Sequence, residues 1–218
     1  MFQKIFLAFL PFILVANVAR IKNSQIDPKA KAILDESAVN FKSYKSVNAK
    51  FTFTTENPDN TSSKTKGEIY LKGVKYKLIF DDQEIICDNK VVWTYLKDMN
   101  EVQITDYEPQ KDEITPNSIF TIYKSDFAYL YTGDAKIGEV NCHLVELTPI
   151  DKTKPFFKVK LWMDTSNKMI KRLKIFDKNG SKYTYDITTL NTKIVLDDSF
   201  FVFDKSKHPG VTVEDLRL

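Results

Sequence analysis

Two histidines, two cysteines and two pairs of adjacent aspartates are the residues of this 218-residue chain best suited by type to chemistry. His143 falls in a strand-like segment and His208 in a C-terminal loop. Neither has a carboxylate at a spacing that would make it a general base or a metal ligand. Asp81-Asp82 and Asp197-Asp198 could each offer oxygens to a cation, but acidic pairs at turns are ordinarily just solvated. Cys87 and Cys142 lie far apart and outside any redox motif. An oxidising compartment allows a disulfide between them, and two small core thiols is the other reading. The chain shows no phosphate loop, no nucleophile elbow and no histidine-rich metal spacing. No catalytic residue, metal or cofactor is expected.

What the sequence offers instead is apolar surface, so the elements that present it come next. The stretch from Gly67 to Leu96 reads as four short strands joined by tight turns. In Lys75-Tyr76-Lys77-Leu78-Ile79-Phe80 the side chains alternate: Lys75 and Lys77 point one way, Tyr76, Leu78 and Phe80 the other. Ile69 and Leu71 alternate in the same way one strand earlier. Breaks fall at Lys72-Gly73, at Asp81-Asp82-Gln83 and at Asp88-Asn89-Lys90, all turn-forming residues. The product is an antiparallel meander with one apolar face and one wet face.

On either side of this meander the patterns continue. Asp27 as N-cap and Pro28 at the first helical position open a helix to about Phe41, carrying Ile33, Leu34, Ser37 and Ala38 at helical spacing. A strand from Val47 to Thr55 puts Ala49, Phe51 and Phe53 on one side. After a strand with Val102 and Ile104 comes a polar loop. Thr115-Pro116 then starts a brief helix bearing Ile119, Phe120, Ile122 and Tyr123, read as a core helix or as a lid. Five more strands follow, from Phe127 to Leu190, with hairpins at Asp164 to Asn167 and at Lys178-Asn179-Gly180. Phe157, Val159, Leu161 and Met163 are expected on one face of their strand, and Tyr183, Tyr185 and Ile187 on one face of theirs. The fold class is therefore mainly β with a few helices (α+β). About eleven antiparallel strands curl into a barrel or an open half-barrel.

Composition sets the frame. Residues 1–19 read as a signal peptide, with Lys4 ahead of an apolar run too short to span a bilayer. Residues 20–218 then form a single domain, exported and soluble. A formal net charge of +3, evenly interspersed along the chain, makes no nucleic-acid stripe. With 16 Phe and 10 Tyr against 6 Gly and 8 Pro, strands are favoured over disorder.

Several blocks together resemble the periplasmic lipoprotein carrier family, the soluble shuttle of the lipoprotein-localisation (Lol) pathway. They are the first helix followed by Ala49-Lys50-Phe51, then Gly67-Glu68-Ile69-Tyr70-Leu71-Lys72, Ile85 to Tyr95 with Trp93, Thr115-Pro116 with its helix, and the tail. The tail carries Phe201-Val202-Phe203 and Gly210-Val211-Thr212-Val213-Glu214-Asp215. The resemblance implies an open half-barrel whose apolar hollow is covered by helices. It departs at Gly73, where the family often carries an arginine that fastens the lid.

The resemblance also implies a non-enzymatic monomer that carries tri-acylated lipoproteins. An inner-membrane lipoprotein-releasing ABC transporter would load it, and an outer-membrane acceptor would receive the cargo. Nucleic acid plays no part. Phe51, Phe53, Ile69, Leu71, Tyr76, Leu78, Trp93, Leu161 and Tyr185 are the expected acyl-chain wall. Ile33, Leu34, Phe41, Ile119, Phe120 and Ile122 are the expected lid. The alternative on the same scaffold is a module for free lipid or glycolipid. An enzyme would need a polar cluster on an inward face.

Overall fold

A computed structural model describes residues 26–108, 118–124 and 127–217. The expected signal segment, and Thr115-Pro116, lie outside the described residues. An α-helix, α1 (Pro28–Ser43), precedes strands β1 (Val47–Glu56), β2 (Ser62–Lys72), β3 (Lys75–Ile79), β4 (Gln83–Cys87), β5 (Val91–Leu96) and β6 (Glu101–Asp106). Single 3-10 turns at Ser118–Phe120 and Ile122–Lys124 follow, in place of the expected short helix. Then come β7 (Phe127–Ile137), β8 (Val140–Pro149), β9 (Phe156–Asp164), β10 (Ile170–Asp177), β11 (Lys182–Asn191) and, after two more 3-10 turns, β12 (Thr212–Asp215).

The twelve strands among the described residues join one open sheet in the order β12-β6-β5-β4-β3-β2-β1-β11-β10-β9-β8-β7, which forms the half-barrel. The strand missing from the sequence reading is β12, four exposed residues that pair in parallel with β6. Two sequential meanders, β1 to β6 and β7 to β11, meet where β1 pairs with β11. This order has a consequence for the connection from β6 to β7. It must travel from near one end of the sheet to the other, and its 3-10 turns lie across the inner face.

Local chemistry accounts for the helix. Asp27 Oδ1 accepts from the Lys29 and Ala30 amides, at 2.8 and 3.4 Å, and Pro28 occupies the first turn. Asp27 Oδ2 also accepts from the Tyr131 amide at 3.0 Å, so the cap ties the helix start to β7. The buried stripe is Ala30, Leu34, Ser37 and Ala38. Its small residues let the helix sit close to the sheet.

That stripe meets Phe127, Tyr129, Val145, Leu147, Val159 and Leu161 in the main core. Phe156 joins them where Phe157 was expected. The β9–β10 ladder pairs Phe176 with Lys158 but Asp177 with Phe156, a bulge that turns Phe156 inward and leaves Phe157 half-exposed outside.

The outer face of the β3–β6 half is not wet, as alternation alone suggested. The C-terminal segment covers it, and Tyr95, Val102 and Val211 form a second small core there, with Trp93 and Phe203 packed against it.

Candidate functional site

On the inner face, between β1–β4 and β10–β11, a cavity of about 320 Å³ remains beside the main core. Strand pairing sets its wall. Phe51 sits opposite Gly67, and Ile69 opposite Leu78; Leu78 is in turn opposite Ile85. All except Gly67 line the hollow, with Leu71 and Tyr76 beside them and Leu173, Ile175, Tyr185 and Ile187 across from them. Ile119 and Phe120 reach in from the 3-10 turn overhead.

Gly67 explains how Phe51 fits. A Cβ at Gly67 would come within 2.3 Å of Phe51 Cζ, so the absent side chain lets the ring lie flat on β2. The ring meets Phe80 edge-on at 5.9 Å and Tyr185 at 5.8 Å, and it is only 4% exposed.

Among the described residues, the only polar side-chain groups of the wall are the Tyr76 and Tyr185 hydroxyls. Burial pushes the Tyr185 hydroxyl above its ordinary range, so it stays neutral at physiological pH. No described carboxylate, histidine, lysine or arginine lines the hollow. Such a wall offers area and shape but no group for acid–base or nucleophilic chemistry.

The structure distributes the expected wall residues unevenly. Phe51, Ile69, Leu71, Tyr76, Leu78 and Tyr185 come together around the hollow. Phe53 shares their face, stacks on Tyr183 and packs at a tilt against Tyr185, outside the lining. Leu161, 1% exposed, is sealed into the core beneath α1.

Trp93 lies on the opposite face. It pairs with Ile86, whereas Ile85 faces the hollow and pairs with Thr94, so alternation carries Trp93 outward. The wall also has members that the sequence reading missed. Ile85, Leu173, Ile175 and Ile187 could have been found by carrying the parity of Leu78 and Tyr185 across each ladder.

Among the expected lid residues, Leu34 is buried in the core and Ile33 packs against it. Phe41 stacks on Phe120 with ring centroids 4.0 Å apart. The Ile122 side chain lies outside the described residues. Helix and turn are also pinned by a hydrogen bond of 2.6 Å from the Tyr123 hydroxyl to Asp35 Oδ1. Burial, reinforced by that carboxylate, drives the Tyr123 hydroxyl strongly upward.

Gly73, at the place of the family's arginine, has φ +59 and makes the β2–β3 turn. Its neighbours serve the other face. Lys72 and Lys75 both reach Asp198, at 2.7 and 3.0 Å, and Lys72 donates to the Leu196 carbonyl, fastening the C-terminal segment. Asp198 is thus an ion-pair partner and not a cation ligand.

Both cysteines are free and buried, so no disulfide joins them. Cys87 is in β4 and Cys142 in β8, and six strands intervene in the sheet, whereas a disulfide needs Cα atoms within about 7 Å. His143, in contrast to the sequence reading, does have a carboxylate: Asp134 Oδ1 lies 2.5 Å from Nδ1 across the β7–β8 ladder. Neither residue lines the hollow.

An open half-barrel of one mostly antiparallel sheet, with its inner face partly roofed and partly hollow, is the LolA-like fold. The chain belongs to the outer membrane lipoprotein carrier protein LolA family, whose pattern it matches over residues 42–204. An uncharacterized conserved protein from Thermus thermophilus superposes with a TM-score of 0.59 at 13% identity, over 86% of this chain and 99% of that one. A LolA superfamily protein from Nitrosomonas europaea gives a TM-score of 0.44 at 15% identity, over 81% and 98%. The Mycobacterium tuberculosis lipoprotein LppX gives 0.47 at 14% identity, over 78% and 100%. No curated protein matches the chain by sequence. Among the described residues, no helix is long and apolar enough to cross a membrane.

Proposed function

We propose that this chain is a periplasmic carrier that holds the acyl chains of lipoproteins in the hollow and shuttles them from the inner to the outer membrane. The observation that carries this reading is the hollow's wall, whose described residues are all aliphatic and aromatic except for two tyrosine hydroxyls. A lipoprotein's acyl methylenes each cost about 0.8 kcal/mol to expose to water, so unaided desorption across an aqueous gap is negligible. A wall without directional bonds can accept chains of different length, and no buried charge has to be desolvated when they enter.

Residues 1–19 would direct export. An inner-membrane lipoprotein-releasing ABC transporter would load the carrier as a monomer, and an outer-membrane acceptor would empty it. The roof segment carrying Ile119 and Phe120 would have to yield as chains enter.

Mass spectrometry of what co-purifies from the periplasm tests this reading. The carrier predicts tri-acylated polypeptide. Bare phospholipid or glycolipid alone would instead mark a lipid-binding module and overturn the lipoprotein assignment.

A further inference from the structure

The outer face of the sheet is covered by the C-terminal segment over β3–β6 and the Tyr70–Lys72 end of β2 but left bare, among the described residues, over β1, the rest of β2 and β8–β11. Strand pairing places Lys158, Lys160, Arg172, Lys174 and Lys182 on that bare face. Lys50, Lys64 and Lys66 continue it across β1 and β2. Against these eight cations stand five described carboxylates, Glu56, Glu68, Glu146, Asp164 and Asp186. The face therefore carries a surplus of three positive charges.

The carboxylates partly offset the lysines without removing that surplus. Glu146 is shared by Lys158 and Lys160, at 3.2 and 2.7 Å, and Glu56 by Lys174 and Lys182, at 3.0 and 3.7 Å. Lys50, Lys64 and Lys66 are exposed.

Apolar groups stand among the charges. Phe157 (48% exposed), Leu130 (55%) and, in the β8–β9 loop, Ile150 (50%) are open to solvent. The ammonium groups of Lys158, Lys160 and Lys174 each lie within 5.9 Å of the Phe176 ring centre.

We propose that this face docks on an anionic phospholipid surface. Seven of the eight cations are lysine, a point charge that suits a diffuse headgroup layer and not the planar, bidentate recognition at which arginine excels. Protein–protein interfaces are depleted in lysine, which disfavours an acidic protein as the occupant. The cations spread over neighbouring strands of one sheet, and the exposed Phe157, Leu130 and Ile150 can enter the headgroup boundary beside them. The surface lies on the opposite side of the sheet from the hollow, so docking leaves the acyl site unobstructed.

Vesicle flotation with the purified chain tests this. The probes are vesicles of phosphatidylcholine alone and vesicles of phosphatidylcholine with phosphatidylglycerol. Binding is expected only to the anionic vesicles, and should fall steeply as salt rises. The triple variant Lys50→Glu, Lys64→Glu, Lys66→Glu should weaken it at least tenfold, and Phe157→Ser several-fold, with circular dichroism unchanged. Leu78→Glu, which alters the hollow alone, should dock as the parent does. Absent binding, equal binding to both vesicle types, undiminished binding of the triple variant, or loss in Leu78→Glu would overturn the proposal. Failure to bind anionic vesicles at low salt would point to an acidic protein as the partner of this face.

Discussion

The inner face of the half-barrel has two halves that follow the same alternation and end in different states. Over β7–β9 the inward side chains meet α1, whose Ala30, Leu34 and Ala38 come close enough to exclude all space, and Leu147 and Val145 are fully buried. Over β1–β4 equally apolar side chains meet only Ile119 and Phe120 among the described residues, and a hollow remains. The strands do not differ in kind; what differs is what covers them. A helix of 16 residues, about 24 Å long at 1.5 Å per residue, spans only part of a twelve-strand face. A hollow therefore remains where the roof runs out, and its wall residues look like core residues in sequence.

The same substitution in the two halves should give the clearest separation. Leu161→Ala, in the sealed half, opens a cavity that its neighbours cannot fill and should cost about 2–5 kcal/mol in denaturant unfolding. Leu78→Ala, on the hollow's wall, removes atoms that already lack partners on one side and should cost about 1 kcal/mol. Equal losses would mean that the hollow closes in solution.

Gly67→Ala sharpens the comparison from the hollow's side. The new methyl would displace the Phe51 ring toward the space beside it, at a cost of about 1–3 kcal/mol, and would shrink the hollow. A smaller loss in Gly67→Ala than in an exposed-site control such as Lys136→Ala would contradict the close approach.

The pin between the halves is the Tyr123–Asp35 hydrogen bond. Lys31, and then the Tyr123 hydroxyl, hold the Asp35 carboxyl below its ordinary value of 3.8. A depressed folded-state pKa contributes stability that is present above the ordinary value and is lost as pH falls through the folded one. Asp35→Asn should therefore lower the stability measured at pH 6, by about 1 kcal/mol, and much less at pH 2. A difference that grows with acid would have the wrong sign for this contact.

The smallest effect should come from reducing agent. With Cys87 and Cys142 free and buried, dithiothreitol should leave the unfolding midpoint unchanged. Thiol labelling should find both groups only after denaturation, because burial also raises both thiols above their ordinary pKa.

Much of this was legible in the chain. Asp27-Pro28 marked the helix start, and the Lys75 to Phe80 alternation assigned Tyr76 and Leu78 to the face they share with Phe51. Trp93 departs from the expected wall because parity carried through two turns runs from Leu78 to Ile85 to Thr94, which leaves Trp93 on the other face. Phe157 leaves the expected face because a bulge adds a residue to one strand, which strict periodicity does not register. Leu161 and Leu78 could not be told apart as core and wall, since that depends on the reach of α1. The charge surplus looked interspersed along the sequence for a related reason. Lysines on alternate positions of neighbouring strands become one surface only after pairing.

The proposed acyl site is the hollow over β1–β4 and β10–β11. Its most direct test is transfer of a fluorescent tri-acylated lipoprotein from inner-membrane vesicles, containing the releasing transporter, to Leu78→Glu and to Lys136→Glu. A carboxylate at Leu78 must desolvate or take a proton once chains are bound, a cost of a few kcal/mol that corresponds to a loss of loading of about a hundredfold. Lys136→Glu, exposed on β7 outside the hollow, should load as the parent does. Equal loading of folded Leu78→Glu and Lys136→Glu would contradict the site.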